Sequence, residues 1–138
     1  MDIAVMEECT RASHEERITF GEVVGRLIGA GVERYHADLV RGETTYFMPD
    51  GQSHRVTYSA LDARPAGSFS AEGVLAAVRA IQAGKTQYLT FCREILEAGC
   101  VGYLVSMQGQ RAVYYGRSGE TYLEPFPGSR QGFRGGDA

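Results

Sequence analysis

The chain carries one pattern twice, 68 residues apart. The offset is set by two Ala-Gly steps, Ala30-Gly31 and Ala98-Gly99. Carried backward, it places Phe20, Val23, Val24, Leu27 and Ile28 opposite Tyr88, Phe91, Cys92, Ile95 and Leu96. Both sets have the i, i+3, i+4, i+7, i+8 spacing that lays one apolar stripe along an α-helix. Each helix then meets a glycine, which closes it in the left-handed conformation at no steric cost. Thr19 with Glu22 spells a capping box for the first copy. Thr86 is the nearest cap for the second, one position out of register.

Carried forward, the same offset pairs Tyr35 with Tyr103, Tyr46 with Tyr114, Phe47 with Tyr115 and Gly51 with Gly119. These residues sit in stretches rich in Tyr, Val and Thr, which predict strands near 33–40, 43–48 and 54–58 and again near 101–108, 111–116 and 121–126. Turns at Arg41-Gly42, Asp50-Gly51, Gln108-Gly109 and Ser118-Gly119 make each set an antiparallel meander. A helix over about 70–83, capped by Ser70 and striped by Val74, Leu75, Val78 and Ile81, ends at Gly84. Its counterpart over about 2–13 is thin in apolar residues.

The expected fold is therefore α+β, a tandem pseudo-repeat of helix–helix–three-stranded antiparallel meander. The half-repeats cover about 2–58 and 70–126 of a single domain spanning 1–126. A three-stranded meander with two helices is too small to bury its apolar face alone, so the halves are expected to share one core. Leu61 to Ser68 form the linker, and the Gly, Arg and Ser after Pro127 predict a flexible tail over 127–138.

Composition narrows the function classes. The net charge is −3 with a pI near 5.6, and the arginines are scattered, so no concentrated basic face for nucleic acid is expected. No apolar run approaches the roughly 18 residues of a membrane span. The first eight residues carry acids where a signal peptide needs positive charge, so a cytoplasmic location is expected. Cys9, Cys92 and Cys100 are odd in number and form no CxxC pair, which speaks against a disulfide framework or a structural zinc. No cofactor and no metal are expected.

Within the first strand, Tyr35, Ala37 and Leu39 alternate inward, as Tyr103, Val105 and Met107 do in its counterpart. The alternation sends Arg34, His36 and Asp38 together to the opposite face. A carboxylate beside an imidazole can orient its tautomer for general base work, so His36 and Asp38 are the catalytic candidates. Arg34, His36, Asp38 and Arg55 are the ligand-binding candidates. The second copy has Gly102, Leu104 and Ser106 at the trio's positions, so the trio is no part of the shared scaffold. His14 and His54 complete the histidines; His54 and Arg55 could approach His36 across the sheet if the third strand folds back far enough. The four repeat-equivalent tyrosines, Tyr35, Tyr46, Tyr103 and Tyr114, are expected to be core packing common to both halves. Phosphate-loop, nucleophile-elbow and zinc-helix motifs are absent.

Two groups of residues resemble a known family. Phe91-Cys92-Arg93-Glu94 through Ala98-Gly99-Cys100-Val101, followed by Arg111-Ala112-Val113-Tyr114-Tyr115-Gly116, is similar to the C-terminal signature of the YbcV/YdfO-like prophage-associated bacterial proteins (domain of unknown function 1398). Gly31 to Asp38 and Thr45 to Gly51 resemble the longer members. The resemblance covers about residues 1–126, implies an α+β fold and transfers no catalytic residue.

The leading functional expectation is a non-enzymatic binding or protein-interaction module whose partner is an unknown protein or small molecule. Self-association as a homodimer, through an edge strand or the helical face, belongs to that expectation. The competing one is a small enzyme or metal-dependent protein using His36 and Asp38 with Arg34 or Arg55. A third, a phage-related regulatory or structural factor, rests on the resemblance alone.

Overall fold

In the computed structural model, which describes residues 1–128, the halves repeat element for element. The first contains α1 (Ile3–His14), α2 (Phe20–Gly29), β1 (Arg34–Asp38), β2 (Glu43–Phe47) and β3 (Ser53–Thr57). The second contains α3 (Ala71–Gln82), α4 (Tyr88–Glu97), β4 (Cys100–Ser106), β5 (Arg111–Gly116) and β6 (Thr121–Pro125). The tail expected from 127 falls, from 129 onward, outside the described residues, while Pro127 and Gly128 form a turn.

The six strands form one antiparallel sheet in the order β3-β2-β1-β4-β5-β6, so the meanders meet along β1 and β4. His36 faces Leu104 across that seam, and Leu104 is its own counterpart at the 68-residue offset. The seam register is symmetric about this pair, Arg34 facing Ser106 as Asp38 faces Gly102. The other registers obey the same offset: Tyr35 faces Tyr46 as Tyr103 faces Tyr114, and Glu43 faces Thr57 as Arg111 faces Pro125.

Backbone geometry repeats even where the residue changes. Among the described residues, all the left-handed positions but Gly128 fall in pairs 68 apart: Glu16 with Gly84, Gly31 with Gly99, Gly42 with Gln110, and Gly51 with Gly119. The second β-turn therefore places its left-handed residue at Gln110, one past the expected Gly109. Gln110 has φ 52°, a conformation that costs a side-chain-bearing residue about 1–2 kcal/mol. Replacing the exposed Gln110 by glycine is expected to stabilise the protein by about 0.5–1 kcal/mol, net of the added freedom of the unfolded chain. Urea denaturation of the variant against the parent measures it.

Glu16, with φ 60°, has a compensation that Gln110 lacks. The N-cap of α4 is Gln87, which makes no side-chain capping bond, and Thr86 makes none in its place. Glu16 instead reaches across from the first half, its Oε2 accepting from the Leu89 N–H at 3.2 Å. A carboxylate there satisfies an orphan donor and sits favourably at the helix N-terminus. The expectation that Thr86 caps α4 is thus corrected, whereas the Thr19–Glu22 box on α2 forms in full.

All four helices lie on one face of the sheet. Between helices and sheet lies one core, containing Met6, Cys9, Leu27, Val74, Ile95, Leu96 and Val105. Even α1, poor in apolar residues, contributes Met6 and Cys9, both essentially inaccessible. The halves differ in how their second helices are covered. The linker runs along α4, with Ala66 N–H donating to the Leu96 carbonyl at 3.0 Å and Ser70 N–H to the Ala98 carbonyl at 2.7 Å. No such segment crosses α2 among the described residues, and Ile28, the counterpart of the buried Leu96, is 56% exposed.

Candidate functional site

The inward face of the central strands is walled with tyrosine. Tyr35 and Tyr46 have ring centroids 5.5 Å apart, Tyr103 and Tyr114 5.3 Å, and Tyr35 and Tyr103 6.4 Å. All four are nearly buried, as their core role predicts. The helices do not close down on them completely. A cavity of about 880 Å³ remains, walled by the four tyrosines, by Phe91 and Tyr88 of α4, by the N-terminal part of α2 and by Val78 and Ile81 of α3. Phe20 and Phe126, ring centroids 5.3 Å apart, both line it.

The hydroxyl partners show where the halves part. Tyr46 shares a hydrogen bond of 2.6 Å with Thr10 of α1, and Tyr103 one of 2.8 Å with Tyr88 of α4. At the offset positions Val78 stands for Thr10 and Phe20 for Tyr88. Both replacements delete the partner. Tyr114, the counterpart of Tyr46, and Tyr35, the counterpart of Tyr103, have no hydrogen bond to their hydroxyls among the described residues. Buried tyrosine hydroxyls are ordinarily paired. Here two unpaired phenols that keep some access, together with the buried, unpaired Thr86 hydroxyl, line one cavity, which sets this place apart from plain core.

The same side holds a carboxylate where its counterpart is Val56. Glu124, 9% exposed, accepts from Arg79 Nη1 at 2.7 Å, from the Tyr122 hydroxyl at 2.6 Å and from Gln82 Nε2 at 3.2 Å. Burial raises its pKa, but the three donors outweigh burial and hold the carboxyl below its usual range. A carboxyl depressed on folding stabilises above its ordinary pKa, and that contribution disappears as pH falls through the folded value. Glu124→Gln is therefore expected to cost up to about 1 kcal/mol at pH 7, the Arg79 side being largely solvated, and nothing near pH 3. Urea midpoints at the two pH values test this.

The candidates read from the sequence lie on the other face of the sheet, which carries no helix. Arg34, His36 and Asp38 share that face as expected, but each has its own engagement. Arg34 pairs with Glu33 and lies over the Phe47 ring, 4.3 Å from its centroid. His36 Nε2 is 2.7 Å from the Tyr115 hydroxyl. Asp38 accepts from the backbone N–H groups of Val40 at 3.1 Å and Arg41 at 2.9 Å, holding the turn after β1. Arg55 is exposed on β3, with Thr45 between it and His36 in the cross-strand row.

Gly102, at the position equivalent to Arg34, leaves room for Tyr115 to lie down and reach His36. A Cβ there would fall 2.6 Å from the Tyr115 hydroxyl. The three histidines do not converge. His54 pairs with Tyr46 and so projects to the helical face, where Nε2 lies 3.2 Å from Glu7, opposite to His36. His14 packs between Tyr58 and Tyr88, with Nδ1 2.9 Å from the Thr10 carbonyl oxygen. Among the described residues no cluster of three His, Cys, Asp or Glu could hold a metal ion.

The three cysteines are all buried. Burial pushes Cys92 up to about 12 and Cys100 up to about 11, and raises Cys9 as well. They are thiols near neutral pH and weak nucleophiles. Among the described residues no helix is long and apolar enough to cross a membrane.

Residues 64–124, the span of the second half, match the model of a family described as "Protein of unknown function (DUF1398)". Uncharacterized proteins of Mycobacterium bovis and Mycobacterium tuberculosis are 30% identical to this chain over 59 residues, which is 43% of its length. The alignment covers 36% of these curated relatives, so this chain spans about a third of their length.

Proposed function

We propose that this chain is a binding module that takes a small, mainly apolar molecule into the cavity between its helices and its sheet. The observation that carries the reading is the cavity itself: about 880 Å³, mainly apolar, walled on the sheet side by tyrosines and bordered by polar side chains of α1, α2 and the segment before α4. That size and lining fall within the range of small-molecule sites, roughly 300–1,000 Å³. Binding is favoured over catalysis by the state of the buried phenols and of Glu124. Burial pushes the phenols of Tyr35, Tyr103 and Tyr114 upward, and Glu124 is already held by three donors. None of them is poised to exchange a proton near neutral pH.

Naphthalene, which fits such a volume, is the direct probe. Titration into the isotope-labelled protein should shift the resonances of Tyr35, Tyr103, Tyr114 and Phe91 in a saturable way. Ala112→Phe, which builds a ring into the cavity from the sheet, should weaken that binding by about tenfold or more. The absence of saturable shifts, or shifts confined to the open face of the sheet, would remove the reading.

A further inference from the structure

The cavity has a chemical preference that follows from which of its polar groups are already occupied. Of the charged side chains that line it, Arg17 is paired with Glu8 at 2.8 Å and Glu15 at 2.6 Å. Glu16 caps α4 through Leu89, Glu22 completes the capping box with Thr19, and Glu124 is held by Arg79, Gln82 and Tyr122. The imidazole of His14 lies tilted against Tyr58, ring centroids 3.9 Å apart, with Nδ1 against the Thr10 carbonyl. No cation stands ready for an anionic ligand, and a carboxylate or phosphate would enter an aromatic cavity without a counter-charge.

Three neutral hydroxyls are left over, those of Tyr35 and Tyr114 and the buried one of Thr86. Tyr35 is 6% exposed and Tyr114 7%, and neither hydroxyl has a partner among the described residues, because Phe20 and Val78 occupy the places where Tyr88 and Thr10 serve the other two tyrosines. Each hydroxyl can donate once and accept.

Resting on the reading of the cavity as a binding site, we infer that its ligand is an uncharged aromatic or alicyclic compound bearing hydroxyl or carbonyl groups, recognised by the hydroxyls of Tyr35 and Tyr114. The aromatic walls take the ring system, and the two phenols supply hydrogen bonds that the fold itself does not use.

Three probes of one ring system separate the possibilities by calorimetry: naphthalene, 2-naphthol and 2-naphthoate. The hydroxyl compound should bind about three- to tenfold more tightly than the hydrocarbon, the worth of one or two neutral hydrogen bonds. The carboxylate should bind more weakly than both. In the Tyr35→Phe/Tyr114→Phe double variant 2-naphthol should lose most of its advantage over naphthalene. That variant should also keep the parent's stability, because it removes no hydrogen bond from the unliganded protein. Tyr46→Phe, which strands Thr10, is the contrasting control and should lose stability. If no probe binds, the cavity reading falls and this inference with it. If naphthalene binds but 2-naphthol is no better, or 2-naphthoate binds best, or the double variant leaves the preference intact, the cavity reading stands and the ligand class is wrong.

Discussion

Gly99→Ala is expected to destabilise the protein by about 3 kcal/mol or more, enough to unfold much of a marginally stable domain. Gly99 closes α4 with φ +89°, and a Cβ there would lie 2.2 Å from the Ser68 carbonyl oxygen and 2.8 Å from Phe69 Cα. These are backbone atoms of the linker where it crosses the end of the helix, so nothing flexible can give way. The counterpart Gly31 has the same handedness, φ +78°, but the nearest atom a Cβ would meet is the Met48 methyl at 3.6 Å. Gly31→Ala should cost only the left-handed term, about 1–2 kcal/mol. Equilibrium urea unfolding of the two variants gives the difference, and equal losses would contradict the close crossing of the linker.

The second contrast concerns side chains at one repeat position. Leu96 is 1% exposed beneath the linker, and Leu96→Ala should cost about 2–5 kcal/mol through lost burial and the cavity left behind. Ile28 occupies the same place on α2 at 56% exposure, so Ile28→Ala should change stability by no more than about 0.5 kcal/mol. The pair tests whether α2 is as uncovered in solution as in the structure. A large loss at Ile28 would mean that something covers it.

Much of this architecture was legible because the repeat constrains it twice. Helix stripes, glycine stops and the inward tyrosines lie where the 68-residue offset places them, and α1, weak by its own composition, is secured by its match to α3. What single-chain periodicity missed is tertiary. Thr86 was expected to cap α4 because it lies close in sequence, but the cap comes from Glu16 in the other half. An approach of His54 to His36 depended on how the third strand folds back, and the pairing of His54 with Tyr46 sends the two to opposite faces. The candidate site was half legible. A break in the repeat is where a site was sought, and the trio at Arg34, His36 and Asp38 is such a break. A quieter pair of differences, Thr10 against Val78 and Tyr88 against Phe20, turned out to border the cavity. Both were visible in the aligned halves. Their meaning needed the hydroxyls of Tyr46 and Tyr103 to be seen bonded and those of Tyr35 and Tyr114 to be seen alone.

The seam between β1 and β4 also bears on how the chain reaches this structure. Each meander closes over short turns, and such hairpins form on the order of microseconds. The seam joins His36 to Leu104 and must wait for a far longer loop to close, at a cost in chain entropy that is recovered only when β1 and β4 pair. Until the seam closes, each half-sheet leaves β1 or β4 unpaired, in addition to its outer edge at β3 or β6. At high protein concentration the β1 of one molecule can meet the β4 of another before its own. Refolding yield should fall with concentration through exchanged dimers, joined along the same strands that close the monomer.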